Sequence, residues 1–299
     1  MKPRHRRRGN FPTSRRFSNL REVLPLGLGA LCAAAAGCGA VPRPAAPPGP
    51  HVASEHDAEW HWARREDLAH LRTAIALYQQ DFGRQPSVEL CHQIGRAAFL
   101  LADYFLEGNP AAQDAVHLEA ARYALAAMRL QPSVAAAIGG RDIPPAAAVA
   151  LVDAEYGRAL FWWTAHFGRW LAHRNILTQL AHTARVIGAM ERIRQLGAEV
   201  APGSSHRMWG AYYARRGDFA RARKHFEEAV RLAPHIIYTR ILYATDCALP
   251  ARDKELYVQQ LRLALAEPPP SDPDWLPDYR LERQRARRLL EKADELFAR

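Results

Sequence analysis

The chain has 299 residues, 48% of them hydrophobic and 24% charged, and a formal net charge of +10. Eight Lys and Arg residues against one Glu place +7 of this charge before Cys38, so only +3 belongs to the remainder. A nucleic-acid-binding function, which relies on a basic surface, therefore loses its main support. Alternating runs of Val, Ile and Thr are nearly absent, whereas Ala, Leu, Arg and Glu recur at helical spacing. This pattern excludes a β-rich fold and predicts an all-α chain.

Residues 1–37 have the organisation of a bacterial secretion signal. A basic segment is followed by a short apolar run, Val23–Gly37, which ends in small residues directly before Cys38. Fifteen helical residues rising about 1.5 Å each are too short to span a hydrocarbon core roughly 30 Å thick. We therefore predict that this segment is cleaved and is not retained as a membrane helix.

The last residues of this segment, 35–38 (AAGC), resemble the lipobox of bacterial lipoproteins, with Ala in place of the usual Leu at the first position. The resemblance implies cleavage just before Cys38 and acylation of its thiol. An ordinary signal peptide cut at an Ala-x-Ala site is the alternative. No acidic residue directly follows Cys38, which in well-studied bacterial lipoproteins favours the outer membrane. Residues 38–53, rich in Pro and Ala, then predict an extended tether.

The folded part is predicted to occupy residues 54–299 and to start with one helix. Ser54 begins it, Asp57 is its capping partner, and apolar periodicity continues to about Asp81. Early histidines lie beside carboxylates but do not have the i, i+4 spacing of a helical zinc site, so neither a metal site nor any other cofactor is predicted. These histidines are His51, His56 and His61.

Helix pairs are predicted along the rest of the chain. The pairs are Val88–Leu106 with Ala115–Leu130 and Ile237–Cys247 with Lys254–Leu265, and a single helix is predicted between them at Thr178–Leu196. A final amphipathic helix from about Pro277 to Phe297 has a dense Arg and Glu side. We expect this helix to cap the C-terminal end of the array, because an end cap turns its outer face to water.

The most regular segment is residues 203–236, which has the pattern of a tetratricopeptide (TPR) repeat. Ser205 is predicted to cap its first helix, Gly217-Asp218 to turn the chain and cap the second, and Pro234 to end it. A single helix pair of this kind cannot bury its apolar side alone. The segment therefore predicts a TPR-like solenoid of stacked helical hairpins.

Residues 146–173 form the most aromatic segment, and two stripes can be drawn on it. The first stripe is predicted to be buried: Trp163, Phe167 and Trp170. The second combines aromatic and polar side chains: Trp162, His166, Arg169 and His173, with Asn175 just beyond. Both stripes can be core and rim of the solenoid, since Trp is highly buried on average. Alternatively, the second stripe lines a groove in which an apolar or amphipathic ligand or a partner chain docks.

The sequence lacks the common signatures of enzymes. It contains no Gly-x-Ser-x-Gly motif, no glycine-rich phosphate loop and no His and Cys residues at metal-ligand spacing. Adjacent carboxylates such as Glu227-Glu228 point to different sides of a helix, as expected for a solvated face. We therefore predict that the protein is not an enzyme.

Four segments resemble one family, the TPR-like periplasmic lipoproteins known as the T component of TRAP transporters. They are the aromatic helix with its extension (160–177), the segment 190–196, the regular repeat (203–236) and the C-terminal sequence 280–297. The likeness covers about residues 65–297. The lipobox agrees with this family, whereas the Gly- and Pro-rich connection at 136–145 departs from it.

The resemblance implies an all-helical, lipid-anchored protein that can assemble as a homotrimer. Such a protein associates with a periplasmic substrate-binding protein of a TRAP-type system. Channels through the assembly then pass an apolar or amphipathic solute toward a transporter in the inner membrane. The alternative is a general TPR scaffold lipoprotein in envelope assembly, which would bind outer-membrane assembly proteins.

Overall fold

The structure is a computed structural model that describes residues 57–298. The signal segment, Cys38, the tether and Ser54 lie outside the described residues. Within 57–298 the chain is helical and has no strand, which confirms the predicted all-α class. The α-helices are α1 (Ala58–Trp62), α2 (Leu68–Arg84), α3 (Val88–Leu100), α4 (Pro110–Met128), α5 (Pro132–Ile138), α6 (Ala146–Leu151), α7 (Gly157–Ala172), α8 (Ile176–Leu196), α9 (Ser204–Arg215), α10 (Phe219–Leu232), α11 (Ile237–Leu242), α12 (Lys254–Ala266), α13 (Leu276–Glu291) and α14 (Ala293–Ala298).

Consecutive helices pack on one another along much of the chain, for example α2 on α3, α9 on α10 and α12 on α13. Helix α7 packs against three other helices, α3, α4 and α8. Packing in chain order is what a solenoid requires, and the TPR-like solenoid remains a prediction for the chain as a whole. None of the helices in the described range has an apolar stretch long enough to cross a membrane.

The helix predicted to be continuous as far as residue 81 is interrupted, so this prediction was wrong. Helix α1 ends at Trp62, and the chain turns before α2 begins at Leu68. Asp67 starts the new helix, because its Oδ1 accepts hydrogen bonds from the amides of Ala69 (2.8 Å) and His70 (3.1 Å). Such a cap satisfies amides that a helix start otherwise leaves free.

Two further segments each form two separate helices. The aromatic segment forms α6 and α7, and the predicted C-terminal helix ends at Glu291 before α14 begins at Ala293.

The regular hairpin α9–α10 follows its sequence pattern except at its first cap. Asp218 caps α10 by accepting a hydrogen bond from the Arg221 amide (3.1 Å), and α10 ends just before Pro234, as predicted. Ser205 does not cap α9, because it lies inside the helix and Gly203 occupies the capping position. Gly203 has φ +76°, and a Cβ there would lie 2.9 Å from the Ala229 carbonyl oxygen. The close approach of α10 therefore selects glycine over a serine cap.

The C-terminal helix does not simply turn its polar side to water. Arg65, which is fully buried just before α2, donates hydrogen bonds to the Asp278 carboxylate on α13. Arg96 on α3 binds Asp274 (2.8 Å) and Asp278 (3.1 Å). We call Arg65, Arg96, Asp274 and Asp278 the clasp. The expectation of a solvent-facing cap is wrong for this part of α13, because Asp278 and the preceding Asp274 pair with arginines near the N-terminal end of the fold.

Candidate functional site

A cavity of about 550 Å³, partly open to solvent, lies between α3, α7, α8, α9 and α13. Much of its wall is apolar, including Phe99, Phe161, Trp162, Leu171, Met190 and Met208. Charged side chains complete the lining: Arg96, Arg169, Arg207, Arg215, Arg216, Asp278 and Glu282. A concave, largely apolar pocket of this size with a few polar groups is the usual form of a small-molecule site. The cavity is therefore the candidate functional site.

Trp162 forms part of the wall because a glycine on the facing helix makes room for it. Its indole lies directly on Gly95 of α3, and its Nε1–H donates a hydrogen bond to Nδ1 of His92 (3.0 Å). A Cβ on residue 95 would lie 2.6 Å from Cγ of Trp162, which is well inside van der Waals contact. Gly95 thus sets the distance between α3 and α7 at the cavity.

Replacing Gly95 by Ala should destabilise the fold by about 1–3 kcal/mol, because the added methyl group overpacks this contact. Gly188 in α8 is the matched control, since a Cβ there would meet no heavy atom within 4 Å. Gly188→Ala should be neutral or stabilising by up to about 1 kcal/mol, as expected for Ala in an open helical position. Urea unfolding of both variants measures the difference, and equal effects would contradict the role assigned to Gly95.

His166 lies behind the wall and does not line the cavity. It is fully buried, with Nε2 3.0 Å from the Gly95 carbonyl oxygen and Nδ1 2.9 Å from Nδ1 of His117. Nε2–H therefore donates to the carbonyl, and Nδ1 accepts a hydrogen bond from His117. Burial keeps both rings neutral by lowering the pKa of His166 and lowering that of His117 to about 4. His166 is thus a support for Trp162 and Phe99, whose rings it contacts.

Acidification should destabilise the protein through this histidine pair. Between pH 6.5 and about pH 4 the native His117 binds fewer protons than it does in the unfolded chain, so its contribution is complete above pH 6.5 and is lost as the pH falls. For His117 this corresponds to a decrease of about 3 kcal/mol in the free energy of unfolding. Urea unfolding of the wild type and His117→Gln at neutral and acidic pH tests this, because the variant should lose less stability. Equal losses would show that other groups cause the pH dependence.

Arg169 joins three helical elements at the cavity. Its guanidinium lies 3.4 Å from Oδ2 of Asp103, 3.1 Å from the Tyr238 hydroxyl and 3.7 Å from Oδ2 of Asp246. The Tyr238 hydroxyl also donates to Asp103 (2.7 Å). Burial alone would raise the pKa of the Asp103 carboxyl, but Arg169, Arg285 and the Tyr238 hydroxyl outweigh burial and lower it. Arg169 is therefore a fully paired side chain.

Both carboxylates that hold Arg169 come from π-helical turns. Asp103 lies in Leu101–Phe105 and Asp246 in Tyr243–Ala248. Single π-helical turns are frequent at functional sites, because the extra residue re-aims side chains. The sequence predicts both segments as continuous helix, since no residue in them marks a change of helical period.

The structure separates the five residues of the predicted groove. Trp162 and Arg169 line the cavity, and His166 lies directly behind Trp162. His173 and Asn175 lie elsewhere. His173 contacts Oδ1 of Asp114 at 2.7 Å, and the exposed Asn175 caps α8 by accepting a hydrogen bond from the Thr178 amide at 3.0 Å. The predicted stripe therefore borders the cavity only as far as Arg169, and its C-terminal residues lie outside the cavity.

Sequence reasoning missed the contribution of α9. Arg207, Ala211 and Arg215 lie on one helical face that borders the cavity. The TPR pattern of this helix describes only the side that packs on α10. The 4-residue spacing of Arg207, Ala211 and Arg215 was visible in the sequence.

Comparison with known proteins then places the chain in a family. A search of curated proteins gave no match. A family model described as the TRAP transporter T-component matches residues 107–297, which is more than half of the chain and includes most of the cavity wall. The chain therefore belongs to the TRAP transporter T-component family.

Proposed function

We propose that this protein is a lipid-anchored periplasmic accessory of a TRAP-type transporter. In this proposal Cys38 carries the lipid, residues 38–53 form the tether, and the helical part faces the periplasm from the outer membrane. Family membership supports a role as an accessory in such a transporter. The cavity is the single observation that carries the solute-binding part of the proposal, because it is largely apolar and partly open to solvent.

The protein's partner in this proposal is the periplasmic substrate-binding protein of the same transport system. The chain can form a homotrimer, and its cavity receives an apolar or amphipathic solute from the partner. No reaction is proposed at this site. Of the two carboxylates in the lining, Asp278 is already bound by Arg65 and Arg96 and has a structural role.

Affinity purification of the full chain from membranes tests the partner. The chain is co-expressed with the binding protein encoded beside a TRAP-type permease, and an unrelated periplasmic binding protein is the control. Native mass spectrometry should show a stoichiometric complex with the first protein and none with the control. A partner set confined to outer-membrane assembly proteins would instead favour the scaffold function.

The same preparation tests the anchor. The N-terminal peptide of the processed chain should begin at Cys38 and carry the mass of a diacylglyceryl group. Cys38→Ser should abolish this mass and release the protein from the membrane fraction. An unmodified N-terminus would contradict the lipid anchor and leave the partner experiment unaffected.

A further inference from the structure

A second cavity, of about 210 Å³ and partly open to solvent, lies between the C-terminal end of α8, α9 and α10. Its lining shares no residue with the larger cavity, because the two border different faces of α9. The volume is below the range that is usual for drug-sized ligands, so the guest that fits is a small molecule.

Aromatic rings form one wall of the second cavity. Trp209, Tyr213 and His225 line it with nearly parallel ring planes, and their centroids are 5.4–6.2 Å apart. The Arg221 guanidinium lies 5.2 Å from the centroid of Tyr213, so this ring already attracts a cation of the chain itself. Because the faces of Trp and Tyr are electron-rich, the wall favours a cationic guest.

The charged side chains of the lining have a net negative charge, since Glu191 and Glu199 are accompanied only by Arg194. Arg194 pairs with Glu191 at 2.9 Å, and both side chains are largely exposed. Glu199 is half-buried, and its Oε2 accepts a hydrogen bond from the Ser204 amide at 3.2 Å. Within the described part of the chain, no side chain forms an ion pair with Glu199.

Neighbouring basic groups do not neutralise Glu199. Arg207 lies within electrostatic range of it, but its guanidinium is 3.3 Å from the Thr239 hydroxyl and binds there. The Nδ1 atoms of His206 and His225 are 3.1 Å apart, so one of these nitrogens carries no proton. Burial, followed by His206, lowers the pKa of His225, which keeps this ring neutral at neutral pH. Glu199 is therefore available to a cation from outside the chain.

Ser205 is a buried hydroxyl without a partner. It lies in the first turn of α9, lines the second cavity and is 7% exposed. Its Oγ makes no hydrogen bond to any residue that the structure describes. Such a hydroxyl is unusual, because burying a polar group without a hydrogen bond costs free energy. A guest with a hydroxyl or N–H group would supply the missing partner.

We propose that the second cavity binds a small organic ammonium ion. Its cationic head lies against Trp209 beside Glu199, and a hydroxyl or N–H group of the same molecule forms a hydrogen bond with Ser205. The site is separate from the larger cavity, so it does not depend on the role in a transporter.

Choline and its neutral isostere 3,3-dimethyl-1-butanol test the role of charge, because they differ only in a carbon that replaces the charged nitrogen. The full-length protein in dodecyl maltoside micelles, which contain no ammonium group, is titrated with each by calorimetry. Protein-free micelles provide the blank. We expect choline to bind at least about tenfold more tightly, since only the cation is attracted by the aromatic face and the carboxylate.

Two variants locate the site. Glu199→Gln should weaken choline binding about tenfold and leave the neutral alcohol unchanged, because it removes only the charge, and Gln can still accept the Ser204 hydrogen bond. Ser205→Ala should weaken both probes without destabilising the free protein, because the hydroxyl has no partner to lose. Glu119→Gln is the matched control, since Glu119 is exposed on α4 and does not line the cavity, and it should bind both probes like the wild type.

Several results would overturn the proposal. They are no binding of choline, equal affinity of the wild type for the two probes, unchanged choline affinity in a folded Glu199→Gln variant, and unchanged affinity for both probes in a folded Ser205→Ala variant. Circular dichroism and the melting temperature establish folding of each variant. The comparison of the two probes on the wild type is decisive even where a variant does not fold.

Discussion

Replacing Asp278 by Asn should lower the free energy of unfolding by about 3–5 kcal/mol, the range for breaking a buried ion pair by removing one partner. The loss is large because Arg65 is fully buried and donates its carboxylate hydrogen bonds mainly to Asp278. Arg96 would also lose one of its two acidic partners. Asn keeps the size of the side chain, so the effect reports the charge and not a cavity. Urea unfolding followed by circular dichroism measures it.

Asp81→Asn is the matched control for this experiment. Asp81 pairs with Arg84 at 3.3 Å on α2, and both side chains are largely exposed. Exposed pairs of this kind contribute at most about 1 kcal/mol. A similar, small loss in both variants would mean that the clasp does not hold α13 against the N-terminal helices.

Replacing Trp163 by Ala should destabilise the protein by about 3–5 kcal/mol, as expected for deleting a large aromatic side chain from a core. Trp163 is 1% exposed and stacks on Phe167 with ring centroids 4.9 Å apart. It lies on α7, which contacts α3, α4 and α8, so the surrounding helices cannot close the space without moving one another. Thermal and urea unfolding both report this loss.

Trp170→Ala provides a control of the same chemistry on the same helix. Trp170 stacks on Phe167 at 5.3 Å but is only half-buried, so its removal leaves a smaller void. We expect a loss clearly smaller than that of Trp163→Ala. The reverse order would show that the buried stripe has been assigned to the wrong face of α7.

The features that the sequence predicted well are local. The all-α class followed from helical spacing, and the cap at Asp218 followed from a short motif, since a cap needs only its own backbone neighbours. Trp163 and Phe167 are buried as their i, i+4 spacing indicated. These predictions depend on residues within a few positions of one another.

The features that the sequence did not predict depend on distant residues. Glu and Arg on α13 were interpreted as a solvated face, because charged residues are mostly exposed. Their partners, such as Glu107 for Arg285, are 178 positions away, and nothing in the local pattern identifies them.

The clasp also sets an order of events for a newly synthesised chain. Synthesis delivers the N-terminal helices first, so Arg65 lacks its carboxylate partner until Asp278, near the end of the polypeptide, has been made. Bringing together groups so far apart in sequence carries a loop-closure cost and belongs to the slow, late steps of folding. Until α13 packs against the other helices, one wall of the cavity is missing. A product truncated before residue 276 would therefore remain an open, aggregation-prone array that quality-control proteases can recognise.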